Sequence, residues 1–408
     1  MSKLDDLINK LCPDGVEYKT IQEISKSITS GGTPKTTRKD FYDGNIPWLR
    51  TQEVNFCDIN DTGVKITQEG LDNSSAKWIP ENCVIVAMYG ATVGKIGINK
   101  IPLTTNQACC NLEIDSTKAL YKYVFYCLSN QYEYIKSLGQ GAQTNINAQI
   151  VKNLEIPVPP LPVQKEIVRI LDNFTELTAE LTAELTAELT ARRKQYEYYR
   201  DSLLTFDDSV EWKTLGDYCK FIRGPFGGSL KKECFVSEGY AVYEQQHAIY
   251  GKLNFRYHID EKKFNELKRF EVAKNDLIVS CSGTIGRVMI IPEDAPKGVI
   301  NQALLKLTPN ENILPKYLKY FFESTITKEL NESARGGAIQ NIPSVGELKS
   351  IKLQVPSVKE QERIVKILDR FDSLCNDISS GLPAEIEARQ KQYEYYRDKL
   401  LTFEKKKV

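Results

Sequence analysis

Apolar and polar positions change their period along this chain, and the change happens twice. Short runs of apolar and β-branched residues, Val84-Ile85-Val86-Ala87-Met88 and Leu277-Ile278-Val279-Ser280, lie between Gly, Asn and Pro punctuation and predict buried strands. Residues 121–135 and 316–330 have helical spacing and few breakers, so each of these regions is expected to mix helix with strand. The pattern then turns into a long helical period. Pro157, Pro159, Pro160 and Pro162 enforce an extended approach, Pro162 suits the first helical position, and no Gly or Pro intervenes from there to Phe206. A helix over that stretch is a rod of about 67 Å, at about 1.5 Å per residue. Within it Thr178-Ala-Glu-Leu181 is repeated through Leu185 and Leu189, which sets leucines at steps of four on one slowly rotating face. A second such stretch opens with the capping-box pattern Pro356-Ser357-Val358-Lys359-Glu360. There Ser379-Ser380-Gly381-Leu382-Pro383 stands in place of the tetrads and is expected to break or kink the helix.

The two long stretches are copies of each other. Lys194-Gln-Tyr-Glu-Tyr-Tyr-Arg-Asp201 recurs unchanged from Lys391 to Asp398, and residues 167–174 recur as 364–371 at the same offset, without a gap. The regions between are related more faintly but in the same order. Residues 15–21 resemble 209–215, Thr92-Val93-Gly94-Lys95 resembles Thr284-Ile285-Gly286-Arg287, and Asn106-Gln107-Ala108 matches Asn301-Gln302-Ala303. Further on, Gly141-Ala142 with Asn145-Ile146 matches Gly337-Ala338 with Asn341-Ile342. The duplication divides the chain into variable domains at 1–156 and 207–355 and helical segments at 157–206 and 356–408. A helix this long with an apolar stripe needs a partner, and equivalent segments of a duplicated chain are natural pseudo-twofold partners. The expected class is α+β: two mixed α/β domains from a tandem duplication, separated by two long helices that pair as an antiparallel coiled coil.

Composition removes several kinds of chemistry. The 54 basic and 54 acidic residues cancel, so no global field announces a polyanionic ligand. Ten cysteines are scattered without a Cys-x-x-Cys and read as reduced, mostly buried thiols. Two histidines, His247 and His258, both in the second half, exclude a duplicated His-based acid-base or metal site. Residues 90–96 imitate a phosphate-binding loop, but only three residues separate the glycines and Ile96 stands where Ser or Thr would hold magnesium. The absent motifs leave the expectation of a non-enzymatic chain with no metal, and without a long apolar run or a charged-then-apolar start a cytoplasmic protein with no membrane span is expected.

Two variable domains alternating with two near-identical helices, the Leu-Asp-x-Phe and Lys-Gln-Tyr-Glu-Tyr-Tyr-Arg blocks, and the Thr-Ala-Glu-Leu tetrads together resemble the specificity subunits of type I restriction-modification enzymes, the tetrads pointing to the IC class. The resemblance implies target-recognition domains that each read half of a bipartite double-stranded DNA site. It implies that the helices set the spacer and dock two methyltransferase subunits, and that motor-nuclease (restriction) subunits join this core. The chain itself is then expected to need no cofactor, with S-adenosylmethionine, ATP and magnesium on the partners. Since domain charges are near balance, DNA contact must come from local clusters. Candidates are Lys35, Arg38, Lys39, Arg50, Gln140, Gln143, Asn145 and Asn147 in the first domain, and Lys231, Lys232, Arg335, Gln340 and Asn341 in the second. Candidate partner contacts are Lys194, Tyr196, Tyr198, Tyr199 and Arg200 with Lys391, Tyr393, Tyr395, Tyr396 and Arg397. Adjacent tyrosines face different sides of a helix, so at least one points away from the rod. Thr178, Leu181, Leu185 and Leu189 are the spacer residues. A bivalent scaffold for a non-DNA ligand, or a nuclease with dispersed carboxylates, are the competing readings of the same residues.

Overall fold

The computed structural model describes residues 3–139, 145–226, 228–282, 284–326, 343–376 and 381–406, and the chain divides into two compact units. One unit holds residues 1–183 with 387–408, the other residues 184–386. Each therefore joins one variable domain to pieces of both helical repeats.

In the first unit the strands are β1 (Tyr18–Thr20), β2 (Ser25–Ser30), β3 (Tyr42–Leu49), β4 (Cys57–Ile59), β5 (Lys65–Ile66), β6 (Trp78–Ile79), β7 (Val84–Ala87), β8 (Ile96–Asn99), β9 (Leu103–Thr105), β10 (Cys109–Ile114) and β11 (Glu155–Pro157). One sheet runs β2-β10-β7-β8-β4 and a second β5-β3-β9-β6. Both are antiparallel except where β4 lies along β8 and β3 along β9. The strand read from residues 84–88 is β7, buried at every position, because a strand covered on both faces has no polar side to alternate. Helix α1 (Tyr121–Asn130) covers one face, with Tyr123, Val124 and Leu128 packed against Val84, Val86 and Leu112. Strands β1 and β11 pair, Lys19 opposite Ile156, and bring the two ends of the domain together. From there the chain enters α2 (Leu161–Leu203), 43 residues without interruption, with Pro162 in its first turn.

The second unit repeats this plan with β12 (Trp212–Thr214), β13 (Cys219–Arg223), β14 (Phe235–Val236), β15 (Tyr240–Tyr243), β16 (His258–Ile259), β17 (Leu277–Ser280), β18 (Val288–Ile290), β19 (Gly298–Ile300), β20 (Leu304–Pro309) and β21 (Lys352–Gln354). Its sheets run β13-β20-β17-β18 and β14-β16-β15-β19, with β15 parallel to β19 as β3 is to β9, while β12 and β21 zip the domain's ends. Helix α3 (Pro315–Phe321) stands where α1 does and runs into a π-helical turn at 322–326; the rest of the helix expected through residue 330 falls outside the described residues. Gly31 and Gly224 end the equivalent strands β2 and β13. A Cβ on either would lie 1.8 Å from the carbonyl oxygen of Thr105 or Asn301, so both copies need glycine there.

The second helical repeat is α4 (Val358–Asn376) and α5 (Leu382–Leu401). The expected break is present: Gly381 is a bend and Pro383 sits in the first turn of α5, where its missing N–H costs nothing. The capping box expected at Ser357 is half formed. Ser357 Oγ accepts the Glu360 N–H at 3.4 Å, but the Glu360 carboxylate turns to Arg363, 2.6 Å away, since an ion pair one turn along outcompetes a bond back to the backbone.

In the first unit α2 and α5 pack antiparallel. The Phe174 ring lies 6.0 Å from that of Tyr396, while Thr175 Oγ1 is 3.0 Å from the Tyr393 hydroxyl. In the second unit α2 and α4 do the same. Phe371 stacks on Tyr199 at 5.5 Å and meets Tyr196 at 6.4 Å, and farther along α4 Cys375 feels Arg193 and Arg192. The paired helices of the sequence reading are thus made by swapping, each variable domain receiving the tyrosine block of the other repeat.

Candidate nucleic-acid interface and helix repeats

Each variable domain is bolted to its own long helix by the same side chains. Gln164, fully buried in α2, donates to the carbonyls of Pro159 (2.7 Å) and Lys118 (3.1 Å) and accepts the Leu120 N–H at 2.9 Å. Gln361 in α4 donates to Pro356 and Asn312, both at 2.9 Å, and accepts the Leu314 N–H at 2.8 Å. About two turns on, Asp172 takes the Tyr126 hydroxyl and the Lys122 ammonium, each at 2.7 Å, and Asp369 takes Tyr320 (2.7 Å) and Lys316 (2.6 Å). Burial raises both tyrosine hydroxyls, which keeps them protonated as donors. Sequence reading saw the Leu-Asp-x-Phe blocks but assigned no task to these aspartates or to either glutamine.

The tyrosine block splits as the helical geometry requires. Tyr196 packs against the core of the second unit, whereas Tyr198 and Tyr395, at matching positions of the two repeats, are 70% and 63% exposed. Tyr199 and Tyr396 lie between, touching Phe371 and Phe174. Arg200 lies over Tyr196 and Arg397 over Tyr393, with Arg397 also donating to Asn130 Oδ1 at 2.8 Å. Lys194 and Lys391 face solvent, the latter paired with Glu387. Thr178, Leu181, Leu185 and Leu189 are all half-buried along α2.

The strand pairings collect loops at one end of each domain. In the first, β2, β3, β7 and β9 end there and β8 and β10 begin there, since Cys110 faces Ser30, Cys109 faces Ala87 and Leu49 lies beside Thr105. Thr92 Oγ1 donates to Thr51 O (2.8 Å) and the Ile146 N–H to Met88 O (3.0 Å), while Thr33 reaches Gln107, so the loops following residues 30, 49, 87, 105 and 144 converge. Of the candidate DNA residues, this end holds Arg50 and Asn145, with Asn147 two residues on. Arg50 pairs with Glu53 at 3.5 Å, and its Nε is buried without a hydrogen-bond partner among the described residues, as is Asn145 Oδ1. Asn147 is also a helix cap, accepting the Ile150 N–H at 2.9 Å. Arg38 and Lys39 stand instead at the far end of β3, where Arg38 is engaged by Asp40 (2.5 Å) and Glu69 (3.1 Å); Lys35 is exposed in the loop between. Gln140 and Gln143 lie outside the described residues.

The second domain gathers its loops in the same way, with Arg223 opposite Leu305, Ser280 opposite Leu304 and Tyr243 beside Ile300. Phe226, 93% exposed, sits here between glycine-rich neighbours. Lys231 and Lys232 form a 3₁₀ turn at the start of β14, the counterparts of Arg38 and Lys39, and so lie away from this end. Arg335, Gln340 and Asn341 are outside the described residues. The repeated Asn-Gln-Ala motif is a turn: Asn106 Oδ1 accepts the Ala108 N–H at 3.1 Å and Asn301 Oδ1 the Ala303 N–H at 3.0 Å. Each Asn N–H also bonds the last residue of the neighbouring parallel strand, Leu49 in one copy and Tyr243 in the other, at 2.9 Å. That fixes the correspondence of the next residues, Arg50 and Glu244. Sequence reading missed Glu244 and the arginine it holds, Arg256, because nothing in the chain order links them.

Burial pushes the thiols of Cys83, Cys109, Cys110, Cys127, Cys219 and Cys281 up to about 12, whereas Cys57 is exposed and Cys234 half-buried. Among the described residues no group of three or more His, Cys, Asp or Glu is arranged to hold a metal ion, and no helix is long and apolar enough to cross a membrane.

Comparison with known proteins agrees with this architecture. The family profile described as type I restriction modification DNA specificity domain matches twice, at residues 13–191 and 208–388. A type I restriction enzyme specificity subunit of Escherichia coli is 39% identical over 301 residues, 71% of this chain and 73% of that protein. A putative type I restriction enzyme specificity subunit of Haemophilus influenzae is 34% identical over 409 residues, 95% and 96% of the two chains. Among solved structures, a chain from a study of complex assembly and conformational transition in a type I R-M system superimposes with a TM-score of 0.73 at 16% identity, over 95% of this chain and 98% of that one. The HsdS subunit of Thermoanaerobacter tengcongensis gives 0.55 at 16% identity, over 96% and 97%. Carrying the family's domain twice, on two units of one plan joined by a repeated helix, this chain belongs to the DNA-specificity subunits of type I restriction-modification enzymes.

Proposed function

We propose that the loop end of each variable domain reads one half of a bipartite duplex target, while the long helices fix the spacing and dock two methyltransferase subunits. One observation carries this reading: the clamps and tyrosine blocks beneath the domains are the same in both copies, but the loop ends differ at structurally equivalent positions, Arg50 against Glu244. Two copies of one partner fit the repeated helices, and two different ligands fit the divergent ends. Arg50, Asn145 and Asn147 are the base-reading candidates of the first domain, and the exposed Lys35 is a candidate to neutralise a phosphate. Tyr198 and Tyr395, solvent-facing on identical helical segments, are the partner anchors. S-adenosylmethionine, ATP and magnesium belong to the methyltransferase and motor-nuclease partners, so the chain itself does no catalysis.

Titrating methyltransferase subunits into the chain and following duplex binding by gel shift tests the reading. Saturation at two methyltransferases per chain, with salt-sensitive and sequence-specific binding in the assembled complex, is expected. Saturation at one, or equal affinity for all duplexes, would contradict it.

A further inference from the structure

We propose that Arg256 is a guanine-reading residue of the second domain and that Glu244 positions it, an inference that rests on the DNA-reading function proposed above. Arg256 donates from Nε to Glu244 Oε2 and from Nη2 to Glu244 Oε1, both at 2.9 Å. This side-on pair uses two of the five guanidinium N–H donors and leaves three, two of them side by side on the Nη1/Nη2 edge. That edge matches the O6 and N7 acceptors of guanine in the major groove. The Glu244 side chain is only 11% exposed while that of Arg256 is 64% exposed, so the carboxylate is the fixed part and the guanidinium is what is presented.

The setting is built for rigidity. Glu244 directly follows β15 at the loop end, and its N–H donates to Nδ1 of the fully buried His247 at 2.8 Å. Its carboxylate also accepts from Gln246 Nε2 at 3.2 Å. The guanidinium lies 5.2 Å from the centre of the Tyr257 ring, which limits its swing. The first domain has a counterpart: at the position equivalent to Glu244 stands Arg50, with Glu53 three residues on. Both loop ends thus carry an arginine beside a carboxylate at this corner, with the charges supplied from different chain positions, although only the guanidinium of Arg256 is hydrogen-bonded to its carboxylate.

The test uses the full chain assembled with its methyltransferase subunits and maps methylated sites by sequencing on genomic DNA. For Arg256→Ala, one guanine of the second half-target, or the guanine opposite a fixed cytosine, should become degenerate, with discrimination there falling about 5- to 150-fold. The first half-target and the spacer should be unchanged. Arg256→Lys keeps the charge but not the bidentate edge, so it should not restore that guanine. Glu244→Gln should relax the same position and no other. A uniform loss of affinity over all sequences with a smaller salt slope would make Arg256 a phosphate contact, and an unchanged motif would make it an ordinary surface ion pair; either overturns the assignment while leaving the DNA-reading function intact. A wild-type assembly that methylates no bipartite motif overturns both.

Discussion

Single side chains decide how firmly each domain sits on its helix, and Gln164 is the clearest case. A leucine would fill the same space but leave the Leu120 N–H and the carbonyls of Lys118 and Pro159 buried without partners. Gln164→Leu should therefore destabilise the first unit by about 2–4 kcal/mol in chemical denaturation, and Gln361→Leu the second by a similar amount. A loss well under 1 kcal/mol would mean that the freed groups find water. Glu166 gives a pH-dependent counterpart. Hydrogen bonds from Arg169 (2.7 Å) and Lys3 (2.9 Å) hold its carboxyl down to about 2, against an ordinary 4.5. Because the folded value is the lower one, this stabilisation is complete above about pH 4.5 and is lost as the pH falls from there towards 2. The stability gap between wild type and Glu166→Gln should be widest near pH 6 and close progressively below pH 4; a constant gap would show that the ion pair is not its source. None of these roles was legible beforehand. The repeat offset differs between the variable domains and the helices, so Tyr126 and Asp172 do not line up with Tyr320 and Asp369 until the fold brings them together.

At the scale of elements, periodicity spoke loudest where many residues agreed. The helix over 161–203 and the strands at 84–87 and 277–280 follow from sustained patterns, and the interruption at Gly381 from residues that cannot continue a helix. Two-residue strands such as β5 and β16 carry no period of their own and exist only because a neighbour pairs with them. Since α2 is unbroken through its tetrads, removing one of them removes about 6 Å and turns one end by about 40° beyond a full turn relative to the other. A base pair of B-DNA turns by about 34–36°. Deleting Thr186–Leu189 should shorten the non-specific spacer by about one base pair and leave both half-targets as they were, as read by methylation mapping. A deletion of one or two residues swings the half-buried leucine face by about 100° or 200° and should abolish assembly. An altered half-target, or an unaltered spacer, after the four-residue deletion would remove the helix as ruler.

For the molecule as a whole, the swap sets identical tyrosine blocks against domains that are not alike, with Tyr198 and Tyr395 exposed at matching positions. Tyr198→Ala and Tyr395→Ala should each weaken one of two methyltransferase sites, by about 2 kcal/mol or more if the ring is an anchor, and the double variant both. Calorimetric titration distinguishes this from a simultaneous loss of both sites in either single variant, which would place the docking surface elsewhere. Chain folding is little disturbed by either change, because both rings already face solvent.

The same swap has a consequence in time. The core of the first unit includes Leu401, the Val16 N–H bonds Glu404 O at 2.9 Å, and the Tyr18 hydroxyl bonds Phe403 O at 3.0 Å. During synthesis these closing groups trail the rest of that unit by about 200 residues, on the order of 10–40 s at bacterial and eukaryotic elongation rates. For that interval the first domain waits with an open seam, and the segment already made that matches the missing one is the central block at 194–206, its own or that of a neighbouring nascent chain. Ribosomes crowded on one message would therefore bring together half-finished chains able to close on one another, and the speed at which the second half is made sets how many do.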